Sequence, residues 1–267
     1  MRVLLTNDDG IEAEGLQTLR LALLAIPDIS LAVVAPDGNR SAMARSITIR
    51  RPLWVEEIDF GDGTVGYASD GTPVDCVRLA ELGLIDGWKP ELVVAGINHG
   101  SNIGDDITYS GTVAAALEGV VLGLPGIAVS QQSRALELDY RRTDSFDFTR
   151  SAEFTARLVA DLRNLPLPPG TLLNVNFPGC EPEGIEVARL GRRLYDDELQ
   201  VVEEAGSRRR RYRVYGQPPD PSTEETDTDV AAIAAGRVAL TPLHFDLTHH
   251  DGVVALAAHD LERLLRV

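Results

Sequence analysis

Several things this 267-residue chain has little of narrow what it can be. It has only two cysteines, Cys76 and Cys180, which excludes a disulfide framework and predicts two reduced, buried thiols. Lys89 is its only lysine, a coding bias that leaves arginine to carry the positive charge and no lysine for a Walker loop. Basic residues are scarce beside acidic ones, 25 against 41, for a net charge of -16. Such a surface repels the backbone of duplex nucleic acid and anionic lipid, so neither is expected as a partner. No run approaches the roughly 20 apolar residues of a membrane span. The best, Val113 to Val129, is broken by Glu118 and Pro125. The apolar start Val3-Leu4-Leu5 runs quickly into Asp8-Asp9, unlike a secretory signal. A cytoplasmic location is therefore expected.

Motifs are missing as well. There is no Gly-x-Ser-x-Gly elbow, and no Gly-x-Gly-x-x-Gly follows the first strand, so a nicotinamide cofactor is not expected. His99, His244, His249, His250 and His259 lack zinc-site spacing, and no cysteine pair accompanies them. His99 is expected to face solvent, and His249-His250 are assigned no role.

What is present is an alternation of strands and helices. Strands are predicted at Arg2 to Thr6, Ser30 to Ala35, Leu92 to Ala95, Gly126 to Ser130 and Thr171 to Phe177, with a β-rich stretch from Ser46 to Ile58. Helices are predicted at Gly15 to Ala25, from Thr72-Pro73-Val74-Asp75 onward, at Val113 to Leu122 and at Ser145 to Leu165. This order indicates a Rossmann-like α/β fold, a mostly parallel sheet with helices on both faces. Residues 1–180 are assigned to that catalytic core. Residues 181–267 are assigned to a C-terminal arm, with a hairpin within Gly184 to Tyr215, a helix near Asp229 to Ala235, a strand Arg237 to Leu240 and a helix Ala257 to Leu265. The arm reads equally well as a contact to a second subunit or as a solvated hairpin.

Ligands of open parallel sheets bind beyond the carboxyl ends of the strands. Three segments there carry oxygen donors. Asp8-Asp9 ends the first strand, where adjacent carboxylates repel and are partly desolvated; a divalent cation removes both costs. Asn39-Arg40-Ser41 follows the second strand and offers a hydroxyl. The third is the glycine-punctuated loop from Gly96 to Thr112. There Asn98 can point toward the aspartates, and Ser110-Gly111-Thr112 opens a helix whose free N–H groups and dipole suit a phosphate. Two carboxylates, a hydroxyl and an amide select Mg²⁺, Mn²⁺ or Ca²⁺ over zinc or copper. A hard cation beside a phosphate cradle suggests phosphoryl chemistry.

Thr6-Asn7-Asp8-Asp9-Gly10, Asn39-Arg40-Ser41, Gly71 through Val77, and Gly96-Ile97-Asn98 through Val113 together resemble the SurE (survival protein E) family. Thr226-Asp227 and Thr241-Pro242-Leu243 resemble its C-terminal pattern. Ala42-Met43 and Asp227-Thr228-Asp229 depart from it. The resemblance implies a metal-dependent 5′-nucleotidase that hydrolyses nucleoside 5′-monophosphates, with 3′-nucleotides and short polyphosphate as candidate further substrates. It implies one divalent cation per subunit, Mg²⁺ or Mn²⁺, with Ca²⁺ a candidate occupant in crystals. Asp8, Asp9, Ser41 and Asn98 match the metal ligands, with Asp8 and Asp9 also catalytic. Asn98, Asn102, Ser110, Gly111 and Thr112 match the substrate side. A homodimer or homotetramer is implied. A covalent aspartyl-phosphate on Asp8 is the alternative mechanism, and a non-catalytic nucleotide sensor and a structural oligomer are the alternative functions. Tyr109 and Trp54 are the aromatic candidates for a base pocket.

Overall fold

A computed structural model describes residues 1–134, 146–192, 199–205, 209–213 and 225–265. The chain begins with β1 (Arg2–Thr6), α1 (Glu14–Leu24), β2 (Ser30–Pro36), β3 (Val55–Asp59) and β4 (Val65–Ser69). It continues through α2 (Pro73–Leu82), β5 (Leu92–His99), a 3₁₀ turn (Gly104–Thr108), α3 (Gly111–Val121) and β6 (Gly126–Gln131). Then come α4 (Thr149–Asp161), β7 (Thr171–Phe177), β8 (Ile185–Val187), β9 (Gln200–Ala205) and β10 (Arg209–Arg213). It closes with α5 (Asp229–Ala234), β11 (Val238–His244), α6 (His250–Ala257) and a 3₁₀ turn (Leu261–Leu265).

Among the described residues nine strands form one sheet in the order β3-β4-β2-β1-β5-β6-β7-β11-β8. From β4 to β7 every pairing is parallel, whereas β3 and β11 run antiparallel to their neighbours β4 and β7. The chain moves outward from β1 to β2, then returns to place β5 on the opposite side of β1. This reversal opens a crevice beyond the carboxyl ends of β1 and β5.

The strands are apolar throughout because both faces are covered. Val3 and Leu5 join Leu16, Leu19 and Leu23 of α1 and Ala152 and Val159 of α4 on one face. Leu4, between them in sequence, turns to the other face with Val77 and Ala80 of α2 and Ala115 and Ala116 of α3. Each fully buried Leu or Val contributes about 1.5–3 kcal/mol, so this two-sided packing fixes register as well as stability.

Boundaries differ from expectation for local reasons. The strand expected from Ser46 begins only at Val55. The Thr48 N–H donates to Asp75 Oδ1 (3.0 Å), the Thr72 hydroxyl holds the Ser46 carbonyl (2.8 Å), and Pro52 has no N–H to give a ladder. Thr72 and Asp75 form the expected capping box on α2. The α4 helix starts at Thr149, whose N–H is taken by Asp147 Oδ1 (3.1 Å), and residue 145 lies outside the described residues. Strand β5 runs on to His99, with a register shift against β6 between Ala95 and Asn98. Gly96 is needed there, because a Cβ would stand 2.3 Å from the Val129 carbonyl oxygen.

The break placed at residue 180 is not a break in the sheet. Both β8 and β11 lie in it, because β11 supplies Val238 and Ala239 to the buried core. The expected hairpin is found only in part, as an antiparallel ribbon of β9 and β10 outside that sheet; residues 193–198, 206–208 and 214–215 lie outside the described residues. The last helix lies earlier than expected, at His250–Ala257, where the His249 Nδ1 caps it by accepting from the Gly252 N–H (2.8 Å). Of the two cysteines, Cys76 is buried, but Cys180 is exposed, since it follows the end of β7 at the surface. No helix among the described residues is long and apolar enough to cross a membrane.

Thr72→Ala removes the cap of α2 and its tie to Ser46. We expect a loss of about 1–2 kcal/mol in urea unfolding; a change of a few tenths would show that the box does not anchor this segment.

Candidate functional site

Just past β1, the Asn7 side chain closes a tight turn on Gly10, donating to its carbonyl (2.8 Å) and accepting from its N–H (3.1 Å). The turn sets Asp8 and Asp9 at the mouth of the crevice. The β2 loop is fastened to them: the Arg40 N–H donates to the Asp8 carbonyl (2.6 Å), and Asn39 Nδ2 donates to Asp9 Oδ1 (3.1 Å). The Asn39 side-chain oxygen, Oδ1, in turn accepts from the Ser41 N–H (2.9 Å), so Ser41 is held one link from Asp9. From β5, the His99 N–H and Nδ1 both reach Asp9 Oδ2, at 3.0 and 2.8 Å. Asn98 precedes His99 and spends one amide proton on the Gly100 carbonyl (2.8 Å), leaving its own carbonyl as an acceptor.

The N-terminus of α3 is turned onto Asp8. The Thr112 hydroxyl and the Gly111 N–H both donate to the carboxylate. A Cβ on Gly111 would stand 2.7 Å from the Asp8 Cβ, so only glycine allows this approach. Ser110, not Thr112, is the helix cap, accepting from the Val113 N–H (3.1 Å). The Thr112 donor is therefore directed at Asp8, and the Ser110 hydroxyl keeps its own proton.

Electrostatics make the pair costly. Burial, and next the charge of Asp9, push Asp8 up to about 7; the bonds from Thr112 and the backbone offset this only in part. Among the described residues no arginine or lysine pairs with either aspartate, and the nearby Arg40 guanidinium is held by Asp37 (2.5 Å). Nor is any group of three His, Cys, Asp or Glu there placed to hold a metal ion. A cation would thus rest on two carboxylates plus neutral oxygens. That all-oxygen donor set, with a buried charge lacking a counter-ion, fits a hard divalent cation.

Asn102 lies one layer deeper. Its Nδ2 donates to Ser130 Oγ (2.8 Å), its N–H to Asn176 Oδ1 (2.8 Å), and its carbonyl accepts from Asn174 and Asn176 (2.9 and 3.0 Å). Sequence reading missed this network. Its signal was two asparagines at strand period in Leu173-Asn174-Val175-Asn176, which places both on one face of a buried strand. It also missed Asp229, whose fully buried carboxylate accepts from the Gly104 and Gly191 N–H groups (2.9 and 2.8 Å) and tethers the site loop to α5. His99 was placed wrongly. Its side chain is only 8% exposed, because Asp9 and the rings of Phe146 and Phe148 enclose it. Tyr109 and Trp54 are both exposed.

A doubly wound sheet with paired carboxylates at its switch point, facing a helix N-terminus, defines a class of α/β protein with an oxygen-donor site. The profile of the family described as Survival protein SurE matches residues 3–197. A protein of Rubrobacter xylanophilus named 5′-nucleotidase SurE is 50% identical over 268 residues, covering 99% of each chain. One of the same name from Chloroflexus aggregans is 48% identical, covering 94% of this chain and 95% of its own. The crystal structure of the SurE protein from Aquifex aeolicus superposes with a TM-score of 0.80 at 36% identity, covering 96% of this chain and 98% of that one. The chain belongs to the SurE family.

The shift of Asp8 has a consequence for stability. In the unfolded chain Asp8 titrates near 3.8, and in the fold near 7. The folded state therefore binds the extra proton, and the stability this group gives below about pH 4 is lost as pH rises to about 7. Asp8→Asn cannot ionise. In a chelator, its melting temperature should exceed that of the parent by more at pH 8 than at pH 5; a gap independent of pH would contradict the burial cost.

Proposed function

We propose that the chain is a 5′-nucleotidase, hydrolysing nucleoside 5′-monophosphates to nucleoside and phosphate with one divalent cation, Mg²⁺ or Mn²⁺, held by Asp8, Asp9, Ser41 and Asn98. The observation that carries this reading is the buried Asp8–Asp9 pair, short of positive charge, set against the α3 N-terminus. The names of the curated relatives support the substrate class.

When bound, such a cation would polarise a phosphate oxygen and lower the pKa of a water toward about 7. Asp8 or Asp9 would orient or deprotonate the attacking water. Thr112 and the Gly111 N–H fix the Asp8 carboxylate, so Asp8 presents its remaining lone pairs in one orientation. The Ser110 proton, the second amide protons of Asn98 and Asn102, and the positive end of α3 would supply the donors that offset charge growing on the equatorial phosphate oxygens. Each such donor is worth about 10²–10³ in rate.

Phosphate release from a panel of 5′- and 3′-nucleotides and short polyphosphate, with Mn²⁺ and with chelator, tests this directly. Release from 5′-monophosphates that requires metal, and falls at least about 10²-fold in Asp8→Asn and in Asp9→Asn, is expected. Full turnover in both variants removes the mechanism, a labelled phospho-enzyme replaces it with a covalent one, and binding without release leaves a nucleotide sensor.

We infer further that the chain forms a homodimer or homotetramer through the β9–β10 ribbon and the segment after β11. Val202, Tyr212, Leu247, Val254, Leu256 and Leu264 are all exposed on these parts, which is costly for a lone chain. Sedimentation should give a dimer or tetramer; a monomer at micromolar concentration would refute the assembly.

A further inference from the structure

Both oxygens of Asp9 have partners. Carboxylates that hold a cation are themselves hydrogen-bonded, and Asn39 Nδ2 donates to Oδ1 (3.1 Å). The opposite oxygen, Oδ2, takes two bonds from one residue, the His99 N–H (3.0 Å) and the His99 ring Nδ1 (2.8 Å). An ionised carboxylate only accepts, so Nδ1 carries a proton here. The ring has no freedom to turn away. It meets Phe146 edge-on at 5.1 Å and Phe148 edge-on at 4.9 Å, and those two rings stack within 7° of parallel, 5.3 Å apart. Phe148 is in turn locked in the main core under α4. A backbone N–H alone would satisfy Oδ2; the clamped imidazole adds a second, orienting donor.

We propose that His99 is a positioning residue for cation binding. Its ring, held by the Phe146–Phe148 pair, saturates Asp9 Oδ2 and turns Oδ1, where among the described residues only Asn39 donates, toward the ion. This rests on the reading that Asp8 and Asp9 hold the cation. Outer partners of metal-binding carboxylates and histidines typically change affinity 10–100-fold when removed. Since the His99 backbone N–H survives any substitution, a loss near the lower end is expected.

The test is a Mn²⁺ titration of the metal-stripped full chain, followed by electron paramagnetic resonance, with the parent, Asp9→Asn, His99→Phe and His99→Asn. Phenylalanine keeps the aromatic packing and loses the donor. Asparagine loses the packing and keeps a donor where Nδ1 stood. The proposal expects one strong site in the parent, its loss in Asp9→Asn, about tenfold weaker binding in His99→Phe, and affinity within about threefold of the parent in His99→Asn. It expects saturating Mn²⁺ to restore kcat in His99→Phe, with KM for nucleotide little changed. Melting temperatures in chelator identify any variant that fails to fold; should His99→Phe be one, His99→Leu takes its place with the same expectation. Parent-like affinity in the folded variant lacking the donor, or equal loss in His99→Asn, overturns the positioning role while the cation site stands. No Mn²⁺ site in the parent, or an unchanged one in Asp9→Asn, overturns the cation reading and the proposal with it.

Discussion

Everything at the site follows from one unfavourable contact, two carboxylates side by side at the buried end of β1. Asp8 is held there by the Thr112 hydroxyl and the Gly111 N–H, and Asp9 by Asn39 and His99. These bonds orient the pair, but they do not remove its charge, and Asp8 is pushed toward neutrality as a result. A fold that tolerates this cost at the switch point of its sheet keeps a site ready for positive charge, in exchange for stability.

The surroundings are built to hold that contact still. The N-terminus of α3 can press on Asp8 because residue 111 is glycine and because residues 114–116 are alanines that pack α3 closely on the sheet. The loop after β5 is fixed from below by Asn174 and Asn176 and from the side by Asp229 on α5. Elements distant in sequence thus converge on one loop, and the last third of the chain supports the site as well as extending from it.

Much of this was legible in the sequence. The continuous apolar strands, the Thr72–Asp75 box and the oxygen-rich segments after β1, β2 and β5 follow from local chemistry, and they gave the architecture and the neighbourhood of the site. The rest depends on contacts that no local pattern carries. His99 looked like a loop histidine because Phe146 and Phe148, which bury it, come from a different part of the chain. Thr112 is expected on the phosphate side, and no local pattern shows that its hydroxyl donates to Asp8, 104 residues earlier. The stretch expected from Ser46 is a strand only from Val55, because the Thr48 N–H and the Ser46 carbonyl are both spent on the α2 cap. The terminal strand β11 was placed outside the core because its antiparallel pairing with β7 gives no short-range signal.

We propose that these separate segments grip one ion. The most direct test is diffraction from a crystal soaked in a manganese salt, collected to show anomalous scattering. One peak per chain among the oxygens of Asp8, Asp9, Ser41 and Asn98 is the expected result. Well-ordered side chains with no peak between them, or a peak only elsewhere on the surface, would contradict it.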